Sequence, residues 1–125
     1  MSNVPGNLQY SKDHEWVEDL GGNRFKIGIT DYAQGALGDI VYVQLPKVGD
    51  SVTEGAVCGE IESTKSVSEL FSPVTGKVIA VNSQLDAAPE TLNSDPYGAG
   101  WIAEIEVSAA STALMDAAGY SNLIG

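Results

Sequence analysis

The chain has 125 residues, 43% of them hydrophobic, which suits one soluble domain with a real core. Six Lys+Arg against 17 Asp+Glu give a formal charge of −11. So acidic a chain repels phosphate backbones and lacks a basic face for anionic membranes, which argues against nucleic acid and membrane surfaces as partners; the acidity suits solubility and steering towards basic protein surfaces.

Met1 to Leu8 is polar and carries Pro5 and Gly6, so a loosely held lead-in is expected. Met1 to Gln9 shows neither a charged-then-apolar signal pattern nor Arg-rich transit character. His14-Glu15-Trp16-Val17 reads as a strand, Leu20-Gly21-Gly22-Asn23 as a turn, and Arg24 to Ile29 as a returning strand with Phe25, Ile27 and Ile29 inward. Thr30 or Asp31 can cap a short helix that Gly38 ends in the left-handed conformation. Asp39 to Leu45 reads as a strand with Val41, Val43 and Leu45 on one face, and Pro46 stops it.

Val48 to Val52 reads as a turn. Alternation then resumes at Val57, Gly59 and Ile61 against Cys58, Glu60 and Glu62, and continues through Val67 and Phe71. The small polar run Ser63-Thr64-Lys65-Ser66 between these arms predicts a hairpin tip that exposes Lys65. Val74-Thr75-Gly76 is expected to turn again, with Gly49 and Gly76 serving turns, before a strand over Lys77 to Val81. Leu85 to Gly100 reads as irregular, with one helical turn at Pro89 to Leu92. Trp101 to Val107 alternates with Trp101, Ala103, Ile105 and Val107 inward, and Trp16 and Trp101 are expected in the core. The Ala-rich end predicts a C-terminal helix over about 109–119.

Many short strands between Gly-rich turns predict a mainly β fold, a small sandwich or barrel of antiparallel sheets with short helices. There is no βαβ alternation, domain linker or internal repeat. One domain over 1–125, with its core at about 8–107, is expected.

Self-sufficient chemistry is hard to assemble from this inventory. One His and one Cys argue against a zinc site of Cys and His ligands. A Cys58–His14 pair is formally possible, but Cys58 sits between apolar strand neighbours, as buried small residues do. The lone cysteine excludes an internal disulfide and fits a reducing, cytoplasmic compartment. No Gly-rich phosphate loop is present. These absences favour a carrier or binding module over an enzyme. Lys65 alone reads either as a solvated surface charge or as an attachment point for a prosthetic arm. For the second role the amine must protrude, its hairpin must be rigid and its neighbours small; an arm so tethered visits several sites at raised effective concentration.

Gly49-Asp50-Ser51-Val52, Glu60-Ile61-Glu62-Ser63-Thr64-Lys65-Ser66 and Ser72-Pro73-Val74-Thr75-Gly76-Lys77-Val78 together resemble the biotinyl/lipoyl attachment fold. Biotin carriers typically set Met on both sides of the lysine; Thr64 and Ser66 depart from that and favour lipoate. His14-Glu15-Trp16, Gly28 to Gln34, Leu37 to Val41, Leu45-Pro46 and Asn93 to Gly98 extend the resemblance, from about Tyr10 to Val107, to the H-protein family of the glycine cleavage system.

The resemblance implies a barrel-sandwich hybrid and a lipoyl group in amide linkage on Lys65. It implies a non-catalytic, monomeric shuttle of glycine catabolism and one-carbon metabolism. Such a carrier takes an aminomethyl group from a pyridoxal-phosphate decarboxylase (P protein) to a tetrahydrofolate-dependent aminomethyltransferase (T protein). A dihydrolipoyl dehydrogenase (L protein) reoxidises the arm, and lipoyl-attaching enzymes load it. It further implies that Glu62 guides the attaching enzyme and that Glu15 and Glu69 line a cleft for the loaded arm. Read without the resemblance, these three are ordinary outward acids. A lipoyl carrier for another complex, or a lipoate relay donor, would need the same lysine.

Overall fold

The computed structural model describes residues 3–109, 111 and 113–124. Its strands are β1 (Gln9–Tyr10), β2 (Glu15–Gly21), β3 (Arg24–Ile29), β4 (Ile40–Gln44), β5 (Ser51–Val52), β6 (Val57–Ser63), β7 (Val67–Phe71), β8 (Thr75–Val81) and β9 (Ala103–Ala109). The helices are short: α1 (Asp31–Leu37), α2 (Gln84–Ala87), α3 (Thr91–Ser94) and α4 (Ala117–Ile124). Two antiparallel sheets form, one ordered β1-β2-β3-β9-β8-β5 and one ordered β4-β6-β7. Neither closes into a barrel. Val17, Ile27, Ile29, Val78 and Ile105 from the larger sheet share one core with Ile40, Val43, Ile61 and Leu70 from the smaller. Alternation along each strand is what supplies that shared face.

The hairpin β2–β3 forms as expected, Glu15 opposite Ile29 and Val17 opposite Ile27. Thr30 caps α1 by accepting the Ala33 N–H on Oγ1 at 3.1 Å. Gly38 ends the helix at φ 83 and ψ −155, a positive-φ conformation but not the left-handed helical one.

Several expectations change. Val41 does not share a face with Val43: a register shift between Ile40 and Tyr42 leaves Val41 exposed while Ile40 and Val43 are buried. Gly76 is no turn residue. It lies in β8 against β9, where a Cβ would stand 2.1 Å from the Glu106 carbonyl oxygen, so close strand approach requires glycine. The lead-in is held down: Leu8 is buried, the Asn3 N–H donates to Asp31 Oδ2 at 2.9 Å, and Tyr97 Oη donates to the Asn3 carbonyl at 2.6 Å. Within the stretch read as irregular, α2 and α3 bury Leu85 and Leu92. Ile102, not Trp101, is the buried residue at the start of the last strand; Trp101 is half-buried with the Lys26 amine 5.2 Å from its ring centroid.

The C-terminal helix begins at Ala117, not near 109. β9 runs on to Ala109, and Met115 bridges to Tyr10 through hydrogen bonds of 2.8 and 2.7 Å. Backbone pairing there outweighs the helix propensity of an Ala-rich run; residues 110 and 112 lie outside the described residues. Leu8, Tyr10, Trp16 and Tyr120 form a second apolar cluster that ties α4 to the first strands.

Candidate carrier site

The β6–β7 hairpin places Lys65 at an exposed tip. The tip is rigid for a local reason. Ser63 is buried, and its Oγ accepts the N–H groups of Lys65 and Ser66 at 3.2 Å each while donating to the Ser66 carbonyl at 3.2 Å. The Ser63 N–H also donates to the Ser66 carbonyl at 2.8 Å, and the Thr64 N–H to the Asp39 carbonyl at 3.0 Å. Ser63 therefore builds the turn rather than merely clearing space beside the lysine. Thr64 and Ser66 are exposed, as room for an arm requires. The Lys65 amine pairs with no carboxylate among the described residues.

Glu62 is exposed on β6, opposite Tyr42 on β4 and Val67 on β7. Tyr42 and Val67 are themselves 51% and 59% exposed, so Glu62 sits in a mixed acidic and apolar row next to the tip.

Glu15 and Glu69, 54 positions apart in sequence (69 − 15), line one cavity of about 300 Å³. Asp13, His14, Tyr32, Leu37 and Ile61 complete much of its wall. The Lys65 stem lies beside this wall: a Cβ on Gly38, next to the lining residue Leu37, would stand 3.2 Å from Lys65 Cε. The end of α1 thus joins the lysine stem to the cavity wall.

The two carboxylates are not equivalent. Glu69 is exposed, whereas Glu15 is only 2% exposed. Burial pushes the Glu15 carboxyl up to about 8; the Ser11 hydrogen bond draws it down, Asp13 raises it, and a backbone hydrogen bond with Phe71 lowers it. Ser11 Oγ donates to Glu15 Oε1 at 2.6 Å, and the Glu15 N–H donates back to Ser11 Oγ at 3.1 Å.

Ser11, Asp13, Tyr32 and Gly38 carried no functional reading in the sequence. Asp13 stands two residues before Glu15 across the turn into β2, the one signal that pointed to it; the others come together only through the fold. A Cys58–His14 pair does not form. Burial raises the Cys58 thiol to about 12, which keeps it protonated, and His14 Nδ1 is bonded to Tyr120 Oη at 2.9 Å. No group of three or more His, Cys, Asp or Glu fit to hold a metal occurs among the described residues.

A family profile described as glycine cleavage H-protein matches residues 8–124. The chain belongs to that family. A glycine cleavage system H protein of Mycobacterium bovis is 53% identical over 118 residues, covering 94% of this chain and 88% of the relative. That of Mycolicibacterium vanbaalenii is 54% identical over 125 residues, covering 96% and 95%. The crystal structure of a glycine cleavage system H protein from Mycobacterium marinum superposes with a TM-score of 0.92 at 42% identity, covering 98% of this chain and 99% of that one. For an H-protein family member, the rigid lysine tip and the acidic cavity beside it are the features to be explained. No helix among the described residues is long and apolar enough to cross a membrane.

Proposed function

We propose that this chain is a single-domain, non-catalytic lipoyl carrier of glycine cleavage, working with the P, T and L proteins in the cytoplasm. The observation that carries the reading is Lys65, an exposed amine with no carboxylate partner among the described residues, on a hairpin tip pinned by Ser63 in an H-protein-family chain. The residues present fit the group: an exposed amine is what amide attachment consumes, and Thr64 and Ser66 leave room around it. Lipoate bound there would supply the dithiolane chemistry that accepts and gives up the aminomethyl group of glycine.

This chain's own residues do the rest. Ser63 fixes the shape that an attaching enzyme reads, with Glu62 beside it as a recognition contact. Glu69 offers a carboxylate to a cationic amine, Glu15 offers a buried carboxyl that such a cation draws back towards ionisation, and the apolar walls from Tyr32, Leu37 and Ile61 keep water from it. Asp13 adds a third acidic side chain to the same cavity.

Expression with lipoate and a lipoate ligase should add one lipoyl mass to the intact protein, and Lys65→Arg should abolish the gain. A biotin mass, or modification that persists in Lys65→Arg, would sink the proposal. Modification with no transfer of the aminomethyl group in the reconstituted P and T reaction would point instead to another complex or to lipoate relay.

A further inference from the structure

Tyr120, on α4, is fully buried and far in sequence from the cavity, yet its hydroxyl reaches His14, which lines the cavity, and Thr30, which caps the helix that lines it. It lies 2.9 Å from His14 Nδ1, next to Glu15, and 2.7 Å from Thr30 Oγ1, the cap of α1. Its ring stacks on Tyr10 with centroids 4.7 Å apart. His14 is held hard. Its φ is 70, in the region non-glycine residues seldom adopt; its carbonyl accepts the Thr30 N–H at 3.0 Å, and its N–H donates to the Ser11 carbonyl at 3.1 Å.

Proton accounting orders this chain of bonds. Thr30 is fully buried, and its Oγ1 already accepts the Ala33 N–H. Among the described residues, the acceptor for the Thr30 hydroxyl proton is Tyr120 Oη. The Tyr120 proton then goes to His14 Nδ1, so Nδ1 is the acceptor nitrogen and the ring proton sits on Nε2. The reverse order, with Nδ1–H donating to Tyr120 and Tyr120 to Thr30, would bury the Thr30 proton without a partner.

We infer that Tyr120 is a positioning residue for the cavity: its hydroxyl, held between Thr30 and His14, fixes the His14 imidazole with its proton on Nε2. The C-terminal helix thereby sets the hydrogen-bond donor that this wall offers. The cavity presents carboxylates to a cation and, at His14, one N–H to an acceptor such as an amide carbonyl or a thioether sulfur. Burial favours the neutral ring and the nearby Asp13 carboxylate opposes it; Glu15 and Glu69 share the cavity, while α1 contributes Tyr32, with ring centroids 4.8 Å from His14, and no charged group to its lining. The functional consequence rests on the reading that this cavity receives the loaded arm.

The chain has one histidine, so its ring nitrogens give a single set of 15N resonances. In the full-length protein, above the His14 titration, Nδ1 should resonate as an unprotonated ring nitrogen and Nε2 as a protonated one. Tyr120→Phe keeps the stack on Tyr10 and removes only the hydroxyl. It should average the two shifts and raise the His14 midpoint by about half to one pH unit, because the bond to the neutral form is lost. Thr30→Ser, which keeps the hydroxyl, should leave both unchanged. In protein loaded with the aminomethyl group and free of partners, Tyr120→Phe should release it about two- to tenfold faster.

An Nδ1–H tautomer in the unaltered protein overturns the inference, as do unchanged shifts and midpoint in Tyr120→Phe. Moved shifts with unchanged release remove the positioning role. If Tyr120→Phe does not fold, the tautomer of the unaltered protein still decides. If the unaltered protein releases its cargo as fast as Glu15→Gln, the cavity reading fails, and the nitrogen shifts still judge His14 on their own.

Discussion

At the residue scale, Glu15 shows how position decides chemistry. The same side chain that is a solvated acid at Glu69 becomes, at 2% exposure, a carboxyl titrating at about 8 instead of the ordinary 4.5. Between those values the folded protein holds a proton that the unfolded chain has released. Stability from this group is therefore full below about 4.5 and is lost as pH rises towards about 8. The limiting slope is about 1.4 kcal/mol per pH unit. Glu15→Gln keeps the shape and the acceptor for Ser11 but removes the titration. Urea midpoints should therefore fall between pH 5 and pH 8 for the unaltered protein relative to Glu15→Gln; parallel profiles would refute the assignment. His14, whose value is lowered, is present in both proteins and cancels in the difference.

The elements carry a different part of the function. A two-stranded hairpin is marginal alone, but β6 is paired on both edges, by β4 and β7, so the Lys65 tip projects from a fixed base. The tip itself depends on one buried hydroxyl with three bonds. Ser63→Ala should cost about 1–2 kcal/mol in chemical denaturation and slow lipoyl attachment to Lys65, since the attaching enzyme meets a looser turn. Attachment at the unaltered rate, timed by intact mass, would mean that the enzyme reads sequence and not shape. The strand alternation, the tip and the cap of α1 were legible in the sequence, because each follows from neighbours within a few residues. The register shift near Val41 and the strand role of Gly76 were not: both depend on what the partner strand does across the sheet.

For the whole molecule, the second apolar cluster is the connection that joins the ends of the chain. Leu8, Tyr10 and Trp16 come from the start and Tyr120 from the end, and together they back the wall that carries His14 and Glu15. Tyr120→Ala should therefore cost about 3–5 kcal/mol, as large aromatic truncations in cores do, and should redden Trp16 emission as water reaches the indole. An unshifted emission spectrum with a small loss would show that the cluster closes over the gap.

The sequence by itself determined the mainly β pattern, the exposed lysine tip, the missing catalytic inventory and, through motif resemblance, the lipoyl-carrier reading. Those are local properties, set by alternation, turn residues and side-chain chemistry along a few positions. Only the tertiary structure decided that Glu15 and Glu69 share a cavity, that Glu15 is buried enough to change its charge, and that Tyr120 reaches His14 across 106 positions (120 − 14). Desolvation and long-range hydrogen bonds are properties of the space around a group, and that space is made by both sheets and α4 together.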